Sequence, residues 1–302
     1  MSLEIAYILG AGLGTRMGAV GEALPKLLWP VFEKTLLELQ VDYAIECGVK
    51  KIYLNTHFQA EKIQNYILKK KLNIEVLYEE SLLDIGGAIH NLAKVLNYKG
   101  RVLILNGDQF LLVNKDAFAE FKEKSLSFVA TLMGLKVKAG SEYNELVVEE
   151  GLLKSIERPS PTDSYYTYSG VSIINLSKLA PCEGKSKFFE SVADFRKKEV
   201  AVFKPNEFEY WDFGTTERYI NSMRKALLNK ETLFKSFIIK NKSFEQEKIQ
   251  DLNCYNSKGS EFSINLNNES MDNGTGNIII RGVNKDTGNS IAVIYDGEVS
   301  KV

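Results

Sequence analysis

The sequence predicts an α/β protein: a mostly parallel, mixed sheet flanked by helices, followed by a small β-rich C-terminal appendage. Three observations predict it. From residue 4 to about 125, short buried apolar runs alternate with longer amphipathic segments. Closely spaced strand-like segments then follow, and beyond about residue 230 the composition shifts towards Asn, Ser, Lys and Gly. Continuous apolar strands separated by helices mean a parallel sheet covered on both faces.

The elements follow in order. Ile5–Leu9 reads as the first strand and Thr35–Cys47 as a helix, with Leu36, Leu37, Val41, Ala44 and Ile45 at helical spacing. Lys51–Asn55 is a second strand and Ala60–Leu68 a second helix, with Ile63 and Ile67 one turn apart. Ile74–Tyr78, Gly87–Leu96 and Val102–Leu105 continue the alternation. Phe128–Leu135, Glu145–Val148, Leu152–Glu157 and Tyr168–Ile174 are strand-like, with Glu149-Glu150-Gly151 as a hairpin turn. Lys187–Arg196 and Thr216–Leu228 read as helices on either side of a strand near Val200–Phe203. A boundary near 228–232 divides the chain into domains 1–229 and 230–302. In the second, Leu252–Leu266, Asn277–Val283 and Ser290–Val299 are β-like with polar turns.

Composition limits the function. The 302 residues are 44% apolar and 25% charged, ordinary for a protein with a real core. The formal net charge is −1 with the signs interspersed, so there is no basic field to attract nucleic acid or lipid, and a small-molecule substrate is the default. The N-terminal residues carry no cationic leader followed by a long apolar run, and no stretch of about 18 apolar residues occurs. Cys47, Cys182 and Cys254 lie far apart, fitting neither a disulfide framework nor a zinc site. A cytoplasmic location is the expectation.

The most informative stretch is Leu9-Gly10-Ala11-Gly12-Leu13-Gly14-Thr15-Arg16, directly after the first strand. Alternate glycines let backbone N–H groups approach an anion without Cβ interference, and a cation follows. A Rossmann dinucleotide fingerprint fails, because Thr15 stands where its last glycine belongs and the second strand ends on Asn55-Thr56-His57 without an acid. A Walker A loop fails for want of Gly-Lys-Ser/Thr. A tight strand-to-helix turn is the plain alternative. Further on, Leu24-Pro25-Lys26-Leu27-Leu28 puts a lysine among apolar neighbours, which is costly unless it finds an anion. Asp108 follows a strand, at the sheet edge where open α/β folds bind ligands. Asp212 sits beside Trp211 before the helix near Thr216. Two such carboxylates suit Mg²⁺, with a turn residue and a helix cap as the plain alternatives.

Gly-Leu-Gly-Thr-Arg-Met followed by Pro25-Lys26 resembles the signature of the sugar-1-phosphate nucleotidylyltransferase family. The likeness continues through Asp84-Ile85-Gly86-Gly87-Ala88-Ile89, Leu105-Asn106-Gly107-Asp108, Glu157-Arg158-Pro159, Tyr168-Ser169-Gly170-Val171 and Trp211-Asp212-Phe213-Gly214-Thr215-Thr216-Glu217-Arg218. The blocks span residues 4 to about 225 in the family's order. They are most similar to the short bacterial mannose- or heptose-1-phosphate guanylyltransferases and N-acetylmuramate-1-phosphate uridylyltransferases.

The resemblance implies a Rossmann-like nucleotidyltransferase fold and transfer of a nucleoside monophosphate to a sugar 1-phosphate, with release of pyrophosphate. It implies catalytic roles for Arg16, Lys26, Asp108 and Asp212, with Asp108 and Asp212 holding Mg²⁺. Leu9, Ala11, Gly12, Gly14, Thr15, Arg16, Lys26, Asp84 and Gly87 would meet the nucleotide. Asn144, Glu157, Arg158 and Gly170 would meet the sugar phosphate. Arg158 stands where relatives carry Lys, and Asn144 where they carry Gly, a change that a positive φ at Asn would accommodate. The nucleophile is the sugar phosphate, already largely dianionic because its second pKa is about 6, so no general base is required. His57 and His90 are read as non-catalytic. Asp84 either reads the base, favouring GTP over UTP, or caps a helix. The expected partners are a nucleoside triphosphate and a sugar 1-phosphate, with self-association left open and neither nucleic acid nor membrane. A non-catalytic relative that binds nucleotide-sugars, or one transferring to phosphocholine or a pterin, is the alternative. Relatives often append a left-handed β-helix; the six-residue periodicity is missing here, so the tail is either a degenerate β-helix or a small β appendage. A chain ending near Asn229 is expected to keep the chemistry.

Overall fold

The computed structural model describes residues 3–14, 21, 24–228 and 232–245, and the backbone of short strands from residue 249 onward. The strands are β1 (Ile5–Leu9), β2 (Pro30–Val31), β3 (Lys34–Thr35), β4 (Lys51–Thr56), β5 (Glu75–Tyr78), β6 (Arg101–Asn106) and β7 (Gln109–Leu112). They continue as β8 (Ala130–Val137), β9 (Glu145–Glu149), β10 (Leu152–Glu157), β11 (Tyr165–Asn175), β12 (Val200–Phe203) and β13 (Glu209–Asp212). The helices are α1 (Leu36–Glu46), α2 (Ala60–Lys70), α3 (Asp84–Val95), α4 (Lys115–Lys124), α5 (Phe188–Ser191), α6 (Thr216–Leu228) and α7 (Leu233–Lys240).

Two compact units result. One comprises Met1–Ala11, Ala44–His57 and Asn73–Tyr210; the other comprises Gly12–Tyr43, Phe58–Leu72 and Trp211–Val302. The first is built on a nine-stranded sheet in the order β5-β4-β1-β6-β11-β8-β12-β10-β9. Strands β5, β4, β1 and β6 are parallel. Strand β11 runs antiparallel to β6 and β8, β12 returns parallel to β8, and β10 and β9 complete the sheet antiparallel. This is the mixed, largely parallel sheet that the alternating pattern predicts. Its apolar strands bury Ala6, Leu54, Ile104, Leu132, Ile174 and Val202, each worth up to about 1.5–3 kcal/mol for the larger side chains. The β9–β10 hairpin turns on Glu150 (φ 50°) and Gly151 (φ 77°), both left-handed, as a two-residue turn matching strand twist requires.

In the second unit a capping box starts α1: Glu38 Oε2 accepts Thr35 N–H at 2.9 Å and Thr35 Oγ1 accepts Glu38 N–H at 3.3 Å. Its core is aromatic. Trp211 stacks on Phe234 at 4.4 Å, and Phe234 lies 6.0 Å from Phe213 and 6.1 Å from Phe237. Trp29 meets Tyr219 edge-on at 5.1 Å, and Phe32 meets Phe244 at 4.8 Å. The Tyr219 hydroxyl donates to Pro30 O, and Ser243 Oγ donates to Val31 O. The remaining strands β14 (Ile249–Asp251), β15 (Cys254–Asn256), β16 (Phe262–Asn265), β17 (Ile278–Arg281), β18 (Ala292–Tyr295) and β19 (Glu298–Lys301) lie in chain order in one sheet. Neighbours there are antiparallel except β16 and β17.

Two expectations need correction. Lys187–Arg196 is not one helix: only α5 and a 3₁₀ turn at Phe195–Lys197 form, because Val192 breaks the helix and Asp194 caps the turn by accepting Arg196 N–H. Helix α3 starts at Asp84, earlier than its apolar periodicity suggests. Helix α7 and Phe244 pack in the same aromatic core as residues 29–43 and 211–226. Helices α4 and α7 and the short strands β2, β3 and β7 form in addition to the elements that the sequence pattern predicts.

Candidate active site

In the first unit the register aligns Leu9 with Asn55 on one side and Asn106 on the other, so the carboxyl ends of three parallel strands meet. Such an edge is where open α/β sheets hold ligands. Gly10 N–H donates to Asn55 Oδ1 at 2.7 Å, fixing the entry of the glycine-rich segment. Asn55 Nδ2 donates to Glu79 Oε1 at 2.7 Å, and Leu83 N–H donates to Glu79 Oε2 at 3.1 Å. Glu79 is 3% exposed. Its charge adds to burial in pushing the Tyr7 hydroxyl up; that hydroxyl has no hydrogen-bond partner among the described residues. Gly107 N–H donates to Leu9 O at 3.2 Å, so the turn carrying Asp108 is tied to the end of β1.

Gly170 sits at an irregularity in β11, where the register with β8 shifts between Tyr168 and Ser172. Its φ is 85°, and a Cβ there would stand 2.5 Å from Gln109 Oε1 and 2.6 Å from Asn106 Nδ2. Those two side chains hydrogen-bond at 2.8 Å across the Asp108 turn, so the glycine makes room for them. Asp84 takes φ 56° and its carboxylate lies 3.6 Å from Lys185 Nζ. It is the first residue of α3, in its first turn, and the cap position is Leu83. At Gly87 a Cβ would meet Gly184 O at 2.5 Å, and at Gly86 one would meet Ser186 O at 2.6 Å, so this glycine pair serves close packing of α3 on the 184–187 backbone. Glu157, at the end of β10, is exposed and accepts Ser155 Oγ at 2.7 Å. Arg158 follows it, exposed. Asn144, also exposed, does not adopt the positive φ its substitution suggested; its neighbour Tyr143 holds the turn by accepting Tyr165 O–H at 2.7 Å.

The second unit gathers Lys26 and Asp212 on Gly214. Pro25 opens the 3₁₀ turn Lys26–Leu28, whose Leu27 and Leu28 are buried, and this fixes the start of the lysine side chain. Lys26 Nζ donates to Gly214 O at 3.1 Å. Asp212 Oδ1 accepts Gly214 N–H at 2.6 Å and Oδ2 accepts Arg218 at 3.0 Å. Ser222 Oγ anchors the Asp212 carbonyl at 2.9 Å. Lys225 covers the outer face of Trp211 at 4.1 Å. Gly12 has open space around the position of a Cβ, and Gly14 takes φ 67°. Thr15 and Arg16 lie outside the described residues.

The match to known proteins falls on this segment of chain. The nucleotidyl transferase family model matches residues 5–229. The chain belongs to that family. A relative in this family, the D-glycero-alpha-D-manno-heptose 1-phosphate guanylyltransferase of Aneurinibacillus thermoaerophilus, is 29% identical over 198 residues, 64% of this chain and 84% of that protein. The bifunctional sugar-1-phosphate nucleotidylyltransferase/acetyltransferase of Sulfurisphaera tokodaii is 28% identical over 236 residues, and there the match spans 74% of this chain but 56% of the relative. The fold is that of HddC from Yersinia pseudotuberculosis, solved with GMP-PN, at TM-score 0.62 and 24% identity, over 74% of this chain and 99% of that one.

His90 is a core residue, held at 3.3 Å by both Tyr98 Oη and Ser191 O, and burial lowers its pKa. His57 Nδ1 meets Glu79 O at 2.8 Å. No helix among the described residues is long and apolar enough to cross a membrane. Residues that the sequence did not single out are Asn55, Glu79, Gln109, Arg218 and Phe234. In the sequence Asn55 signals only the lack of an acid at the end of the second strand, and nothing separates Glu79 from Glu80.

Proposed function

We propose that the chain transfers a nucleoside monophosphate from a nucleoside triphosphate to a sugar 1-phosphate, releasing pyrophosphate. The observation that carries this is the convergence of Lys26 and Asp212 on Gly214, within a chain whose glycine-rich segment is anchored at the carboxyl edge of a parallel sheet. The lead reading is a guanylyltransferase acting on a mannose- or heptose-type sugar phosphate, supported by relatives named for that activity. A uridylyltransferase acting on N-acetylmuramate 1-phosphate is the second reading, since Asp84 pairs with Lys185 and its carboxylate is then not reserved for guanine.

Two anions must meet in line, so the requirement is positive charge and alignment. Lys26 and Arg16 serve the triphosphate, and Arg158 grips the sugar phosphate through two N–H groups beside Glu157, which accepts sugar hydroxyls. Asp108 and Asp212 are the residues that would hold Mg²⁺. The residue types suit the ion: carboxylate oxygens are hard ligands, and Asp212 is oriented by Gly214 N–H and Arg218. The ion, when bound, neutralises phosphate charge.

The test is pyrophosphate release from each nucleoside triphosphate with a panel of sugar 1-phosphates. GTP with a mannose- or heptose-type phosphate is expected to win; a preference for UTP transfers the proposal to the second reading. Arg158→Ala is expected to raise KM for the sugar phosphate about tenfold or more while KM for the nucleotide holds, since charge-assisted hydrogen bonds are worth about 1.5–3 kcal/mol.

A further inference from the structure

We propose that Glu79 is a positioning residue that sets the glycine-rich segment for nucleotide binding, acting through the side-chain amide of Asn55. This rests on the transfer reaction proposed above.

Glu79 is a buried carboxylate, and a buried charge is costly unless its lone pairs are taken up. Its two oxygens serve different parts of the chain. Oε1 accepts Asn55 Nδ2 and Oε2 accepts the Leu83 N–H that precedes α3. Its backbone is fixed as well, with Glu79 N–H donating to Thr56 O at 2.8 Å. The carboxylate accepts and never donates, so it admits one orientation of the Asn55 amide: Nδ2 towards Glu79, Oδ1 towards Gly10. That orientation gives Gly10 N–H its acceptor. Gly10 is therefore the fixed root of the segment, its own N–H spent inward, and the residues after it depart from a set point. An aliphatic side chain would fill the space with no desolvation cost; what the carboxylate adds is the directed relay.

Reversing the polarity of the relay separates this from simple support. In Glu79→Gln, one amide group must serve two donors, so one is left without an acceptor. In Asn55→Asp, two carboxylates face each other at the distance of a hydrogen bond. In Asn55→Asp combined with Glu79→Gln, every bond is restored: Asp accepts Gly10 N–H and Gln Nε2–H, and Gln Oε1 accepts Leu83 N–H. Wild type, both single variants and the double variant are assayed for KM of each substrate and for kcat. Hydrogen exchange of a peptide covering residues 8–13 is measured alongside.

Each single variant is expected to raise KM for the nucleoside triphosphate about tenfold, Asn55→Asp more than Glu79→Gln, with KM for the sugar phosphate within about twofold of wild type. Exchange near Gly10 accelerates. The double variant returns both readouts towards wild type. The proposal is overturned by unchanged single variants, by equal losses for both substrates, or by a double variant no better than the worse single one. A double variant that fails to fold overturns it too, since that variant keeps every bond. A wild type inert with all nucleotides defeats the functional reading instead, and hydrogen exchange then still judges the relay.

Discussion

The two units hold their candidate residues by different means. Around the nine-stranded sheet, Asp108, Gly10 and Gly170 are placed by directional polar contacts: Gly107 on Leu9, Gly10 on Asn55, Asn106 on Gln109. In the other unit, Asp212 has polar partners of its own in Gly214 and Arg218, but the segment that carries it is seated by non-directional aromatic packing, Trp211 and Phe213 against Phe234. Hydrogen bonds specify angle, and buried rings specify depth and resist displacement. The sheet unit should therefore lose function through small polar changes, and the aromatic unit through loss of volume.

The harshest test removes charge from both. Asp108→Asn and Asp212→Asn are each expected to lower turnover by about 100-fold or more while the far-ultraviolet circular dichroism stays that of wild type. Near-normal pyrophosphate release from either variant would remove that residue from the proposed metal-holding pair. Next comes volume. Phe234→Ala should cost about 3–5 kcal/mol, read as a fall in the denaturation midpoint, and a chain ending at residue 229 should lose activity while one ending at 245 keeps it. An active, stable chain ending at 229 would show that aromatic packing does not support Asp212.

Those truncations bear on what the sequence could reveal. The order of β1, β4, β5, β6 and the later strands was legible because each apolar run is local and its period is short. The support for Asp212 was not, because Phe234 lies beyond an apparent boundary of composition and meets Trp211 only in three dimensions. Among candidate residues, the motifs pointed to Lys26, Asp108 and Asp212 from chain order. Gly87 also stood out, as a nucleotide contact; nothing in the sequence signals that the lack of a side chain at Gly86 and Gly87 also lets the 184–187 backbone pack closely on α3. Glu79 left no mark, since a buried carboxylate and an exposed one read alike in sequence.

Gly170→Ala sharpens the polar side of the comparison. With φ 85° and Asn106 in the way, a methyl group is expected to cost about 1–3 kcal/mol of stability and to lower turnover by disturbing the Asp108 turn. A variant with wild-type stability and turnover would mean that the Asn106–Gln109 contact does not position Asp108. The smallest effect concerns Lys235 in α7, which burial pulls down to about 8 although its ammonium donates to Ala226 O at 2.7 Å. The unfolded chain holds that proton to higher pH than the folded one, so stability is expected to rise as pH climbs from about 8 towards the ordinary lysine range. Lys235→Met should abolish that rise in the thermal midpoint; a rise that persists would assign it elsewhere.

The glycine pair at the start of α3 carries a consequence for how this chain can drift. The 184–187 strip lies on the outside, where insertions are ordinarily tolerated, yet Gly87 N–H donates to Ser186 O at 3.1 Å and Ser186 N–H donates to Leu83 O at 3.0 Å. Strip and helix are stitched backbone to backbone, and at Gly86 and Gly87 the helix brings no side chain of its own to absorb a change. Lengthening that outer loop by one residue would tug directly on Asp84 and the first turn of α3. A stretch that looks free to vary is thus among the least free, and diversification of this surface must proceed by exchange of side chains at fixed length.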